Sequence, residues 1–141
     1  MTRNPFGDMT QEIDKIAYLY LKDGQILGTR SRGKAKFYIP GGKRDADETD
    51  EETLIREVQE ELTVTLIPST IDYVGTFTAQ ADGKPVGVMV KMTCYRAQYE
   101  GELAASNEIE ELRWLTYADL DLVSHVDKKI FAYLKERGEL L

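Results

Sequence analysis

Gly42-Lys43-Arg44-Asp45-Ala46-Asp47-Glu48-Thr49-Asp50-Glu51-Glu52-Thr53-Leu54-Ile55-Arg56-Glu57-Val58-Gln59-Glu60-Glu61-Leu62-Thr63-Val64 holds most of what this chain says about itself. The stretch begins inside a Pro40-Gly41-Gly42 loop, and Glu57, Glu60 and Glu61 stand at i, i+3 and i+4. At about 100° of turn per residue, three acids so spaced fall within roughly a third of a helix circumference. Like charges at that distance repel, and a helix surface ordinarily interleaves Lys or Arg among them. An uncompensated triple points to a divalent cation that supplies the missing positive charge.

The same stretch carries its own helix signals. Thr49 with Glu52 three residues on is a capping-box pattern, and Asp50 and Glu51 place negative charge at the positive end of the helix dipole. A helix from Asp50 to about Leu62 is expected. Its apolar positions Leu54, Ile55, Val58 and Leu62 project within roughly 100° of one another, beside the carboxylate face. The buried side would fix the helix on a sheet and so fix where the acids point. Upstream, Phe37 to Ile39 is a short apolar run ended by Pro40, and Gly41-Gly42 lets the backbone turn sharply and come close to a ligand.

In form the stretch resembles the Nudix box: Gly, five residues, Glu, seven residues, then Arg-Glu-apolar-x-Glu-Glu-x-Gly-apolar. Gly42, Glu48, Arg56-Glu57, Val58, Glu60-Glu61 and Val64 fill the fixed positions, and Thr63 stands where the family has glycine. Leu27-Gly28-Thr29-Arg30 and Phe37 through Lys43 look like the family's approach to the box, and Glu110-Glu111-Leu112-Arg113-Trp114-Leu115 like its late strand. The resemblance implies an α/β fold, an α/β/α sandwich with a mixed β-sheet and a loop-helix-loop catalytic motif. It implies a hydrolase that splits the pyrophosphate linkage of a nucleoside diphosphate joined to another group, using Mg2+, with Mn2+ as a substitute. The implied metal ligands are Glu57, Glu60 and Glu61, Glu60 and Glu61 foremost, with Glu57 as ligand or as the base on water. Glu108 is a second candidate base or extra ligand, and Glu110 competes with it. Arg56, able to pair with Glu60 at i+4 or Glu52 at i−4, would orient the carboxylates with Glu48 in support. Arg30, Gly41, Gly42 and Lys43 would meet substrate phosphate.

The box reads phosphates rather than the base, so the substrate stays open. A nucleoside triphosphate, oxidised ones included, is slightly favoured because the chain is short; ADP-ribose, nucleotide sugars and dinucleotide polyphosphates share the reactive linkage. Residues 76–84 and 100–108 are expected to line the pocket. The alternative is a non-catalytic nucleotide-binding or sensing module on the same fold. Tyr18, Tyr20, Tyr73 and Phe77 are candidates for stacking on a base, although strand aromatics are more often core. At Thr63 a left-handed backbone would cost a β-branched residue about 1–2 kcal/mol, so either the loop takes another path or some stability is lost.

Composition sets the outer limits. With 141 residues, 42% of them hydrophobic, the chain fits a single domain over 1–141 with residues 1–11 as a loose N-terminal segment. Twenty-five acidic against 18 basic residues give a formal charge of −7, which argues against gripping long nucleic acid. The single Cys94 allows no intrachain disulfide and is expected to be buried; with no apolar leader and no bilayer-length run, the expectation is a cytoplasmic protein without a membrane partner, monomeric or a homodimer. Further strands are expected at Ile16 to Leu21 and Ile26 to Thr29 around an Asp23-Gly24 turn, at Ile71 to Thr78, within Val86 to Tyr99, and at Leu112 to Thr116. A C-terminal helix is expected from about Val126 to Arg137, stopped by Gly138. Arg30, Arg32, Lys34 and Lys36 alternate, which in an extended segment would put four cations on one side and in a solvated loop would not.

Overall fold

A computed structural model describes residues 11–141, so all but the last residue of the expected N-terminal segment lies outside the described residues, and Gln11 already belongs to a strand. The elements run β1 (Gln11–Tyr18), β2 (Leu21–Lys22), β3 (Gln25–Ser31), β4 (Gly41–Lys43), α1 (Asp50–Leu62), β5 (Thr65–Leu66), a 3-10 turn (Pro68–Thr70), β6 (Asp72–Gln80), β7 (Val88–Arg96), β8 (Tyr99–Glu100), β9 (Ile109–Leu115), a second 3-10 segment (Tyr117–Leu122) and α2 (His125–Glu136). The main sheet has the order β4-β1-β7-β6 and is mixed: β1 runs parallel to β7, and the other pairs are antiparallel. A smaller sheet, β2-β3-β9, and the β5-β8 pair flank it.

The sheet is covered on both faces because its strands are apolar on both. On one face Ile16 and Tyr18 of β1 pack with Leu54, Val58 and Leu62 of α1; on the other Ala17, Val90, Met92 and Cys94 pack with Ile130, Phe131 and Leu134 of α2. This is the α/β/α arrangement, and each helix is anchored by the stripe that its 3.6-residue period predicts. Cys94 is wholly buried, and burial pushes its thiol pKa up. Among the described residues no helix is long and apolar enough to cross a membrane.

One expectation about strands is corrected, and one open alternative is decided. The segment 16–21 is not one arm of a hairpin: β1 leaves the main sheet at Tyr18, and only Leu21–Lys22 pairs with β3 across the turn in which Asp23 and Gly24 both take positive φ. The apolar run 16–21 hid this because both sheets bury their residues, so no polar break marks the crossing. The segment 30–36 is not extended beyond Ser31, where a bulge in the β3–β9 pairing and a turn at Lys34 scatter the four cations. Arg30 meets Glu110 and Glu111, Lys36 pairs with Asp82, and Arg32 is exposed.

Asp127, in the first turn of α2, is wholly buried; its Oδ2 accepts from Ile39 N–H at 3.1 Å, and its Oδ1 has no partner among the described residues. Burial pushes this carboxyl from its ordinary 3.8 up to about 7, against the pull of the Ile39 N–H. The folded chain therefore keeps a proton that the unfolded chain releases. The resulting stability is full below about pH 3.8 and disappears as pH rises through about 7. Asp127→Asn removes this dependence while keeping an acceptor for Ile39. Urea unfolding should show the variant gaining on the wild type by up to a few kcal/mol between pH 4 and pH 8; a gap that does not change with pH would contradict the account.

Candidate active site

The loop before α1 is held by charge. Arg44 bridges Asp14 on β1 and Asp50 at the start of α1, and Tyr95 Oη donates to Asp50 Oδ2 at 2.6 Å. Thr49 caps α1 with the reciprocal Glu52 bond, as the capping-box pattern requires. Behind the loop, Gly41 and Gly42 pair with Ala17 and Ile16 as the edge strand β4. Gly41 has φ +142°, and a Cβ there would lie 2.0 Å from Ile16 O, so only glycine fits. A Cβ on Gly42 would sit 2.5 Å from the Glu57 carboxyl carbon.

These contacts build a cleft of about 340 Å³ lined by residues that include Gly41, Gly42, Lys43, Glu57, Glu61 and Glu108. Glu61 is only 8% exposed and its Oε1 accepts from Gly41 N–H at 2.9 Å. Burial, reinforced by the charges of Glu57 and Glu108, pushes its pKa up to about 8 in spite of that bond. Glu57, with its side chain 16% exposed, is raised by burial too, while Arg56 opposes the shift. Glu108 is set at the rim by its own carbonyl, which accepts from Arg32 N–H at 2.9 Å. Two acids whose charged form burial disfavours, facing one cleft with a third at its rim, favour any cation that enters.

Arg56 is the organiser of the box. Its guanidinium donates to both oxygens of Glu48 at 2.8 and 3.0 Å, to Glu57 Oε1 at 3.0 Å and to Lys43 O at 3.0 Å, and it reaches Glu60 at 3.4 Å. Arg56 holds Glu48 down to about 2, and the acids around it raise the guanidinium's own pKa. The expected pairing with Glu60 is present; that with Glu52 is not, because Glu52 is spent on the cap.

The expected site residues separate in space. Glu57, Glu61, Glu108, Gly41, Gly42 and Lys43 share the cleft. Glu60 does not line it: its side chain is 43% exposed and turned to Arg56. Arg30 does not line it either, since it donates to Glu111 at 3.1 Å and to Lys34 O at 3.1 Å. Glu110 joins Arg30 at 3.6 Å, which leaves Glu108 as the acid of that loop facing the cleft. Among the described residues no three His, Cys, Asp or Glu side chains gather into a ready-made metal cage. Tyr18, Tyr20, Tyr73 and Phe77 are absent from the lining, and Tyr18 is fully buried with its hydroxyl on Ala97 O at 2.7 Å.

Sequence reasoning missed Lys15, Ser31 and Tyr38, which line the cleft together with Lys34. Lys15 gave a signal, a cation between Ile13 and Ala17 on the strand face that packs toward α2. Thr63 does take the left-handed conformation, φ 62°, and its Oγ1 donates to Glu102 O at 2.9 Å. The loop thus keeps the path that a glycine would take, and this bond offsets part of the conformational cost.

Gly42→Ala should separate activity from stability. The atoms its Cβ would meet are the far end of a flexible side chain, so Glu57 must swing aside while the fold remains. Turnover on any accepted substrate should fall at least about tenfold, with the urea midpoint changed by less than about 1 kcal/mol equivalent. Unchanged turnover would remove Glu57 from the site.

The comparisons agree with this geometry. The model of the NUDIX domain matches residues 13–134. A relative named ADP-ribose pyrophosphatase, from Methanocaldococcus jannaschii, is 29% identical over 112 residues, which are 77% of this chain and 64% of that protein, so the chain spans less than two thirds of that relative's length. Among solved structures, the MutT protein of Methanosarcina mazei Go1 superposes with a TM-score of 0.73 at 19% identity, covering 92% of this chain and 96% of that one. The mutator MutT protein of Bacillus halodurans gives a TM-score of 0.65 at 26% identity, covering 84% and 79%. The first of these likenesses concerns the fold alone. A domain match that reaches from β1 to α2, on a chain whose box residues close one cleft, establishes that this protein belongs to the NUDIX family.

Proposed function

We propose that this Nudix protein hydrolyses the pyrophosphate linkage of a nucleoside diphosphate joined to another group. The observation that carries the reading is that Glu57 and Glu61, one turn apart on α1, both face the Gly41-Gly42 strand, each with one oxygen fixed and one to spare. Glu57 Oε1 takes Arg56 and Glu61 Oε1 takes Gly41 N–H, while among the described residues neither Oε2 has a donor. That donor set fits Mg2+, which takes one or two carboxylates and leaves its other positions to water and phosphate; Mn2+ accepts the same ligands. When bound, such an ion neutralises phosphate charge and lowers the pKa of an attacking water.

The chain's own side chains do the rest. Arg56 holds Glu57 in place, and Lys34 and Lys43 offer ammonium groups to phosphate oxygens in the same cleft. Glu108, or Glu57 as the alternative, takes the proton as water oxygen bonds to phosphorus and the bridging P–O bond breaks. The products are a nucleoside monophosphate and a phosphorylated remainder. The name of the archaeal relative supports ADP-ribose as one member of the substrate panel beside the nucleoside triphosphates.

The deciding experiment is mass spectrometry of products from a mixed panel of triphosphates, ADP-ribose, nucleotide sugars and dinucleotide polyphosphates, with Mg2+ and with excess chelator. Monophosphate release that stops with chelator supports the reading. Absence of any product, together with nucleotide-induced thermal stabilisation, would instead make the protein a binding module.

A further inference from the structure

Lys15 is an odd residue for its place. Along β1 it alternates with Ile13 and Ala17, whose side chains pack into the core shared with α2, and its register partner on β7 is the buried Met92. A half-buried ammonium on an apolar strand face loses hydration and is ordinarily compensated by a carboxylate. Among the described residues none forms an ion pair with it: Asp82 pairs with Lys36, and Asp127 and Glu61 each bind a backbone N–H through one oxygen without reaching Lys15 through the other. Lys15 influences Glu61 and Asp127 only at longer range.

The cavities explain where this charge points. Beside the phosphate cleft lies a second cavity of about 130 Å³, and the two share Lys15, Tyr38 and Met92 as lining. Lys15 therefore stands at the neck. Beyond it, Ile13, Val90 and Val126 give apolar walls, and Lys84 adds a second cation at the mouth, whereas the acid of this cavity, Asp82, is neutralised by Lys36 at 2.8 Å and bound by His125 N–H at 2.9 Å. The polar side chains Tyr38, Gln80 and Ser124 complete the lining and can accept as well as donate, whereas the Lys15 ammonium at the neck offers three N–H groups and no lone pair.

We propose that Lys15 is a specificity-determining residue, which donates to a carbonyl oxygen on the group that enters the second cavity and so selects nucleotides whose base presents an oxo group there over those presenting an amino group. The proposal rests on the hydrolase reading above and deepens it. An amino group at that point would bring one donor against another and leave the ammonium unsatisfied, a mismatch that costs more than a missing contact.

The test uses pairs that exchange an amino group for an oxo group, with the adjacent ring nitrogen turning from acceptor to N–H donor: inosine against adenosine and uridine against cytidine, as triphosphates and, for the purines, as the diphosphoribose. With the full chain and Mg2+, kcat/KM for the oxo member is expected to exceed that for the amino member by about tenfold or more, the worth of one hydrogen bond to a charged donor. In Lys15→Met, which keeps the length and apolar stem, the ratio should fall to within about twofold, with the loss on the oxo member appearing in KM rather than kcat. A ratio is not moved by a general loss of folded enzyme. Equal rates for the two members in the wild type, a preference for the amino member, or a ratio that survives in Lys15→Met would each overturn the proposal. If no nucleotide is cleaved at all, the hydrolase reading fails, and the same pairs used as ligands in thermal-shift measurements decide the inference. Stabilisation that favours the oxo member only while Lys15 is present supports it, and equal shifts overturn it.

Discussion

Glu61→Gln is expected to lower kcat on any accepted substrate by at least about a hundredfold while leaving the protein as stable as before or more so. The two effects separate because of what surrounds this side chain. The amide is the same size as the carboxyl and still accepts from Gly41 N–H, so the junction of α1 with β4 is retained. Burying a neutral amide costs less than burying the charge that Glu57 and Glu108 already disfavour. What is lost is the negative oxygen that a divalent cation requires. Steady-state kinetics and urea unfolding on the same preparation check both halves, and turnover within a few-fold of the wild type would remove the proposed metal site. Glu60→Gln is the informative companion: with its carboxylate on Arg56 rather than in the cleft, a drop as large as that of Glu61→Gln would show the side chain leaving Arg56 to join the site.

Gly41→Ala should be the most damaging small substitution, with a loss of about 3 kcal/mol or more in urea unfolding. The added methyl would lie 2.0 Å from Ile16 O and 2.9 Å from Ala17 Cα, which are backbone atoms of β1 and cannot turn away as a side chain can. β4 must then separate from β1, and Gly41 N–H leaves Glu61 with it. Activity should fall along with stability, in contrast to Gly42→Ala one residue later, where a flexible carboxylate is what must move. An alanine variant as stable as the parent would mean that β4 does not lie where it is described.

The box was legible because its signals are local. The Thr49 and Glu52 cap, the 3.6-residue apolar stripe and the acids beside it all lie within thirteen residues of helix, and α1 spans Asp50–Leu62 as the pattern predicts. Strands β6 and β7, the α2 helix and the burial of Cys94 were readable for the same reason, whereas β4 reads locally as a glycine loop and becomes a strand only beside β1. Misread features depend on partners distant in sequence. The fates of Arg30 and Lys36 are decided by Glu110, Glu111 and Asp82, which lie 46 to 81 residues away. That Lys15 joins two cavities depends on the parallel pairing of β1 with β7, and no local pattern specifies that register. Glu60 and Glu61 are neighbours in sequence, yet one faces solvent and one the interior, because a helix turns about 100° between them.

The single cysteine has a practical use. Cys94 is completely enclosed between the main sheet and α2, and its thiol is held protonated by that enclosure. A thiol-reactive dye can therefore reach it only when β7 parts from α2, and the labelling rate under native conditions reports the free energy of that opening. Every substitution discussed above can be ranked by this clock in the absence of denaturant and without a known substrate.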